Sequence, residues 1–281
     1  MGMGGRLVTE PKGFVSHHNV SVDEIIADAP YYADLLAERK GLVFKELNPI
    51  RDEHEEILSL LYQGKATQIT DRRHGRIWDQ DHSVMFNDGK HFNGIAIEDW
   101  MAPLRVKMGW HIDFPFWEKP PSLTSMHMTK CDYPAGVGRT WVMDLEQILF
   151  LLPLHLKSSL QNAILTHSTG NYADPNDPLA GEEDGSSHSA LRTHPVTGRT
   201  CFYWTGHNCL PEGSELYNFM RKLCDEYDEN APYLYAHEWS KGDLFIWDNR
   251  NLVHTFEGGW EVGSRVFDKV EYGYEQPYFE Q

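Results

Sequence analysis

The chain has 281 residues, is 41% hydrophobic and carries a formal net charge of −17 at neutral pH. That length and apolar content suit a single domain spanning residues 1–281, and the acidic balance argues against a nucleic-acid partner, which needs clustered lysine and arginine. The longest apolar run, Ile148–Leu152, is far too short to cross a bilayer, so no membrane partner is expected and a small molecule is the expected ligand.

The start, Met1–Arg6, lacks the apolar core of a signal peptide. The four cysteines, Cys131, Cys201, Cys209 and Cys224, form no Cys-x-x-Cys pair, which fits reduced thiols and a cytoplasmic location. Composition leaves homo-oligomer formation open.

In chain order, Ser21-Val22-Asp23-Glu24 has the form of a capping box ahead of Ile25, Ile26 and Ala29, which predicts a first helix. Arg51–Leu61 places Ile57, Leu60 and Leu61 at helical spacing, and His54 is assigned to its solvated side. Leu104–Trp110 is rich in β-branched and aromatic character, and Pro115, Pro120 and Pro121 close the segment soon afterwards, so the chain leading into Asp113 reads as a strand.

That strand contains His111-Ile112-Asp113. In extended chain, residues i and i+2 project from one face, so His111 and Asp113 can bind one ion; on a helix they diverge by roughly 200°. With 15 histidines and 42 acidic residues, chance supplies about two such triplets. The other one, His54-Glu55-Glu56, falls on the helix and is set aside.

Asp144 is expected to open a helix through Leu152, with Pro153 restarting it. Residues 173–187 have loop composition and high negative charge, fitting a lid over the site or a solvated surface loop. The segment His194–Arg199 reads as a turn, with Gly198 suited to it. Ser214 caps a helix whose stripe is Leu216, Phe219, Met220, Leu223 and Tyr227. His167, His207 and His237 read as structural histidines.

Lys241–Phe256 reads as a turn, a buried strand, a polar turn and a second strand carrying His254. Past the Gly258-Gly259 turn, Ser264–Tyr272 is a strand with Arg265, Phe267 and Lys269 on one face. Two inward cations are costly unless anions meet them. Two histidines and a carboxylate can hold one face of an octahedral ferrous ion, leaving three positions open.

Five blocks in this order resemble the taurine dioxygenase and 2,4-dichlorophenoxyacetate dioxygenase family of Fe(II)- and 2-oxoglutarate-dependent enzymes. They are Trp110–Asp113, Tyr133–Trp141, Thr193–Arg199, Gly242–His254 and Arg265, within residues 104 to 272. Gly41–Phe44 is similar to the family's first core strand.

The resemblance implies a mainly β fold, a double-stranded β-helix of the jelly-roll, cupin-like kind with flanking helices. It implies His111, Asp113 and His254 as metal ligands, Fe(II) and O2 as cofactors, and 2-oxoglutarate as co-substrate. It implies Arg265 as the partner of the distal 2-oxoglutarate carboxylate, with Thr140 as a second donor. A guanidinium fork can make two charge-assisted hydrogen bonds to a carboxylate. Lys107, four residues before His111, and Lys269, four beyond Arg265, are implied as contacts to a small anionic substrate. Each also fits a plain reading, Lys107 as a solvated lysine and Lys269 as a strand lysine paired with Glu271 or Asp268. Trp110 and Phe114 wall the substrate pocket or pack the barrel.

The implied reaction releases succinate and CO2 while oxidising an amino acid or another small acid. Hydroxylation is the default, with cyclisation and desaturation open, and Asp113 argues against halogenation. A non-catalytic cupin-like metal-binding protein, or a ferrous oxygenase that does not use 2-oxoglutarate, would use the same pocket.

Overall fold

The computed structural model describes residues 7–9, 14–64, 91–92, 95–96, 110–167, 185–206, 209–226, 228–257, 260 and 264–280. Six strands form the larger sheet, in the order β1 (Leu7–Thr9), β2 (Val15–His17), β3 (Gly41–Phe44), β13 (Leu244–Asp248), β6 (Pro121–Cys131) and β15 (Arg265–Tyr274). A smaller sheet runs β12 (Leu234–His237), β7 (Thr140–Asp144), β14 (Leu252–Phe256). The remaining strands pair as hairpins, β4 (His91–Phe92) with β5 (Ile95–Ala96), β8 (Ile164–His167) with β9 (Ser186–Ser189), and β10 (Leu191–Thr193) with β11 (Thr200–Phe202).

The two main sheets face each other across one apolar cluster, as in a jelly roll. Met126, Met128, Phe245 and Trp247 of the larger sheet meet Val142, Tyr235 and Leu252 of the smaller one. Alternation along each strand makes this possible. On β13, Phe245 and Trp247 point into this interior, while Leu244 and Ile246 point out.

Outside the larger sheet lie α1 (Val22–Ala27), α2 (Ala29–Arg39) and α3 (Arg51–Leu61), whose Ile25, Leu36, Ile57, Leu58 and Leu61 pack on Leu42, Leu123, Leu244 and Val270. Outside the smaller sheet lie α4 (Leu145–Leu151), α5 (Leu154–Leu160) and α6 (Glu215–Asp225), packed on Trp141, Met143, Leu234 and Val253. Among the described residues, no helix is long and apolar enough to cross a membrane. All four cysteines are free thiols.

The helix starts follow the local chemistry of the sequence. Ser21 and Glu24 make both bonds of a capping box, the Ser21 N–H donating to Glu24 Oε2 at 2.8 Å. Asp144 accepts from the backbone N–H groups of Glu146 and Gln147, and Ser214 Oγ from that of Tyr217. Gly242 has φ +89, and a Cβ there would lie 2.5 Å from the Asn48 side chain, so only glycine suits this turn.

Two sequence expectations are corrected. His54 is fully buried rather than solvated. The buried stripe of α3 is His54, Ile57, Leu58 and Leu61, the i, i+3, i+4, i+7 face, whereas Leu60 is 42% exposed. His54 Nε2 lies 2.6 Å from Ser125 Oγ of β6. Likewise Ser186 and Ser187 stand in strand β9 rather than in a loop, paired with His167 and Thr166. The rest of the acidic stretch, 173–184, lies outside the described residues, as do Lys107, His207, Tyr227 and the Gly258-Gly259 turn.

Burial pushes several histidines below their ordinary pKa, His54 well below it and His167 to about 3. A histidine depressed in the folded state takes up its proton more readily when unfolded, so its stabilisation is present above about pH 6.5 and lost as pH falls. The urea midpoint is therefore expected to drop steadily from pH 7.5 to pH 5, and less steeply in His54→Gln. A midpoint independent of pH over that range contradicts this account.

Candidate active site

His111 and His254 are brought together by backbone alone. They form an isolated antiparallel bridge, the His111 N–H donating to His254 O at 2.9 Å and the His254 N–H to His111 O at 2.8 Å. Directly opposed antiparallel residues project side by side, and the two imidazole centroids are 4.1 Å apart. The extended segment expected here is described only from Trp110 onward, and the chain already bends at Asp113.

That bend keeps Asp113 with the histidines. Its Oδ1 lies 3.8 Å from His111 Nε2 and 3.7 Å from His254 Nε2. One donor atom from each of the three residues falls within 4.8 Å of the others, and this is the metal-ligating cluster found among the described residues. Immediately afterwards Phe114 takes φ +51 and stacks on Trp117 at 4.0 Å. A non-glycine residue in this region is uncommon and stores local strain.

Asp113 is held from four directions. Its N–H donates to Asn249 Oδ1 at 2.9 Å, and Asn249 Nδ2 donates to Asp113 O at 3.1 Å and to Pro121 O at 2.9 Å. Thr124 Oγ1 donates to Oδ2 at 2.9 Å, and Lys269 Nζ donates to Oδ1 at 2.7 Å. Burial works to raise the carboxyl pKa, but Lys269 and the two histidines hold it well below the usual range. The group is an anion at neutral pH.

Lys269 is fully engaged with carboxylates. Its Nζ also lies 2.9 Å from Glu271 Oε1. Burial opposes its charge, yet Asp113 and Glu271 raise its pKa above the ordinary lysine value. The sequence reading of Lys269 as a cation awaiting an anionic substrate meets a lysine already balanced by two internal carboxylates. The pairing with Glu271 is the other partner arrangement that the sequence suggested. Burial lifts Glu271 to about 7, against the pull of Lys269.

Arg265 presents the opposite situation. It is buried, it is ringed by Trp260 at 4.7 Å, Phe267 at 5.0 Å and Phe256 at 5.7 Å, and among the described residues its Nε and Nη2 have no hydrogen-bond partner. Burial lowers its pKa, with Tyr133 and Cys131 pulling the other way. A buried guanidinium is costly unless a carboxylate meets it, and none does so among the described residues.

Thr140 is on the next wall. It pairs in register with Phe256, one of the rings around Arg265, and its Oγ accepts from Trp239 Nε1 at 2.9 Å. That bond leaves the hydroxyl proton to donate elsewhere. Lys107 lies outside the described residues.

Sequence reasoning missed Thr124 and Asn249, and it named Glu271 only as a partner of Lys269. Asn249 stood in a segment read only as a polar turn, and its bond to Asp113 spans 136 positions. His194, which opens the expected turn, is structural: Nδ1 accepts from Val196 and Thr197 N–H groups, so Nε2 donates to Asp248 Oδ2 at 2.9 Å. Asp248 in turn takes a two-pronged contact from Arg250 at 2.6 and 2.8 Å. This buried network fixes the turn that carries Asn249.

Comparison with known proteins places the site in context. Residues 9–266 match the family described as taurine catabolism dioxygenase TauD, TfdA family. Pentalenolactone F synthase of Streptomyces arenae is 25% identical over 214 residues, covering 69% of each chain. The (S)-phenoxypropionate/alpha-ketoglutarate-dioxygenase of Delftia acidovorans is 26% identical over 57% of this chain and 59% of its own. The alpha-ketoglutarate-dependent 2,4-dichlorophenoxyacetate dioxygenase of Cupriavidus pinatubonensis is 29% identical over 52% of this chain and 53% of its own. The chain thus matches little more than half the length of the last two. Among solved structures, AAD-2 in complex with Mn(II) and N-oxalylglycine superposes with TM-score 0.68 at 15% identity, over 98% of this chain and 100% of that one. A putative alpha-ketoglutarate dependent 2,4-D dioxygenase from Burkholderia xenovorans also gives 0.68, at 18% identity and 96% coverage of both. At these identities the superpositions establish the jelly-roll fold.

Asn249→Ala leaves a buried N–H and two buried carbonyls without their partner, which costs on the order of 1–3 kcal/mol. Urea unfolding of the metal-free protein is expected to show that loss. A variant as stable as wild type would mean that Asn249 does not hold Asp113.

Proposed function

We propose a function from one premise: the chain belongs to the taurine catabolism dioxygenase TauD, TfdA family, whose enzymes are oxidoreductases using Fe(II), 2-oxoglutarate and O2. On our reading this chain is itself such a dioxygenase, acting on a small molecule with release of succinate and CO2. The observation that carries it is a single interior holding both a His-Asp-His cluster and a buried arginine that meets no acidic partner among the described residues.

The residues fit the ion and the co-substrate. Two neutral imidazoles and one carboxylate form the facial donor set typical of ferrous oxygenases, with His111, Asp113 and His254 as the ligands. Arg265 supplies a fork for a carboxylate, and Thr140 a hydroxyl donor beside it. When bound, the ion and 2-oxoglutarate supply oxidative decarboxylation coupled to oxidation of a substrate C–H bond.

The chain's own contribution is placement and exclusion. The backbone bridge sets the two imidazoles side by side, and Thr124 and Lys269 each donate to one oxygen of Asp113. Phe256, Trp260 and Phe267 keep water from the Arg265 fork, which strengthens its grip on an anion. Hydroxylation is the proposed outcome, with cyclisation or desaturation starting from the same hydrogen removal.

For the substrate we propose a small organic acid. Two relatives are named for phenoxypropionate and 2,4-dichlorophenoxyacetate, which supports an acid. Because Lys269 is balanced internally, Lys107, four positions before His111, is the proposed anion contact.

Anaerobically purified protein given Fe(II), 2-oxoglutarate, a panel of amino acids and other small acids, and then O2, is expected to form succinate with at least one of them. Arg265→Lys keeps the charge but loses the fork, at about 1.5–3 kcal/mol, so the KM for 2-oxoglutarate should rise roughly 10- to 100-fold. No succinate under any condition, or an unchanged KM in the variant, overturns this reading.

A further inference from the structure

We propose that Lys269, held in place by Glu271, is a positioning residue for Asp113: it fixes one carboxylate oxygen in the direction of the two histidines and keeps the ligand monodentate. The inference rests on the reading of His111, Asp113 and His254 as metal ligands. It adds a role for two residues that the metal-binding set does not itself require.

The geometry is specific. Oδ1 of Asp113 is the atom nearest both histidines, at 3.8 and 3.7 Å, and it is also the atom that accepts from Lys269 Nζ at 2.7 Å. Oδ2 is turned away and occupied by Thr124 Oγ1. A carboxylate free to rotate could offer either oxygen or both. With Thr124 on one oxygen and Lys269 on the other, rotation about the Cβ–Cγ bond breaks a buried hydrogen bond in either sense, at about 1–3 kcal/mol each.

Glu271 makes this arrangement compatible with a dication. A lysine beside a metal ion would repel it, and the interior does little to screen that repulsion. Glu271 Oε1, 2.9 Å from Nζ on the same strand face, balances the ammonium. Directly across the ladder, Glu271 pairs with Thr124 and Lys269 with Met126, so the three polar residues that surround Asp113 share the inward face of two neighbouring strands. The Phe114 ring lies 5.9 Å from Nζ, closing a further side of the ammonium. Oriented outer partners of this kind typically change metal affinity 10- to 100-fold.

The pairing has a consequence for specificity. A lysine committed to two carboxylates has no charge left for a substrate, so its removal should affect anionic and neutral substrates alike.

The experiment is Mn(II) titration of the purified chain followed by electron paramagnetic resonance, with thermal melting of each metal-free variant alongside. Wild type is expected to bind one Mn(II), and Lys269→Met to bind it about 10- to 100-fold more weakly while still folded. Glu271→Gln, nearly isosteric, leaves the ammonium with Asp113 as its one remaining carboxylate and should also weaken binding; it carries the test if Lys269→Met does not fold. A purely structural role would lower the melting temperature and leave the affinity of the folded fraction unchanged. Mn(II) affinity within twofold of wild type, or tighter, in either folded variant overturns the proposal. Tighter binding would mean that Lys269 competes with the ion for Asp113. Failure of wild type to bind Mn(II) at all would instead overturn the metal-ligand reading on which the proposal stands.

Discussion

The two hydrogen bonds exchanged by His111 and His254 are the constraint from which the rest of the site follows. They splice a short extended segment onto the edge of the smaller sheet, and so bring together side chains 143 positions apart in the sequence. Asp113 can then join the pair only if the chain turns at once. Its turn is made by Phe114 in a left-handed conformation and held by Asn249 from the β13–β14 connection. That connection also precedes the strand bearing His254, so one turn fixes two of the three proposed ligands.

The interior separates its two cations by what balances them. Lys269 faces two carboxylates from the chain itself, whereas Arg265 faces aromatic rings. Both stand on the same face of β15, as alternation along the strand requires. A buried charge balanced internally is part of the scaffold, and one that meets no carboxylate among the described residues is, in the function we propose, poised for a ligand that brings its own. The same strand therefore carries a structural ion pair and, on our reading, a co-substrate anchor.

Local signals made much of the fold legible. The caps at Ser21, Asp144 and Ser214 act within three or four residues, and the alternation of β13 and β15 is visible without any partner strand. His54 was misplaced because Leu60 was counted in the apolar stripe in place of Leu58, which rotated the helix and put a core residue in solvent. Ser186 and Ser187 have weak strand propensity, and only pairing with β8 makes them extended. The site needed more than spacing. His-x-Asp is common by chance, and the ligand roles came from resemblance across several blocks. Thr124 and Asn249 act through contacts set by tertiary register, which a single sequence does not display, whereas Lys269 and Glu271 stand two residues apart on one strand and their pairing is local.

The central claim is that this interior holds iron and 2-oxoglutarate together. Its most direct test is an anaerobic titration of the Fe(II)-loaded chain with 2-oxoglutarate, followed by visible absorption. The account expects a new charge-transfer band that saturates at one equivalent per chain and is absent from Asp113→Ala. Iron binding with no spectral response to 2-oxoglutarate would contradict it.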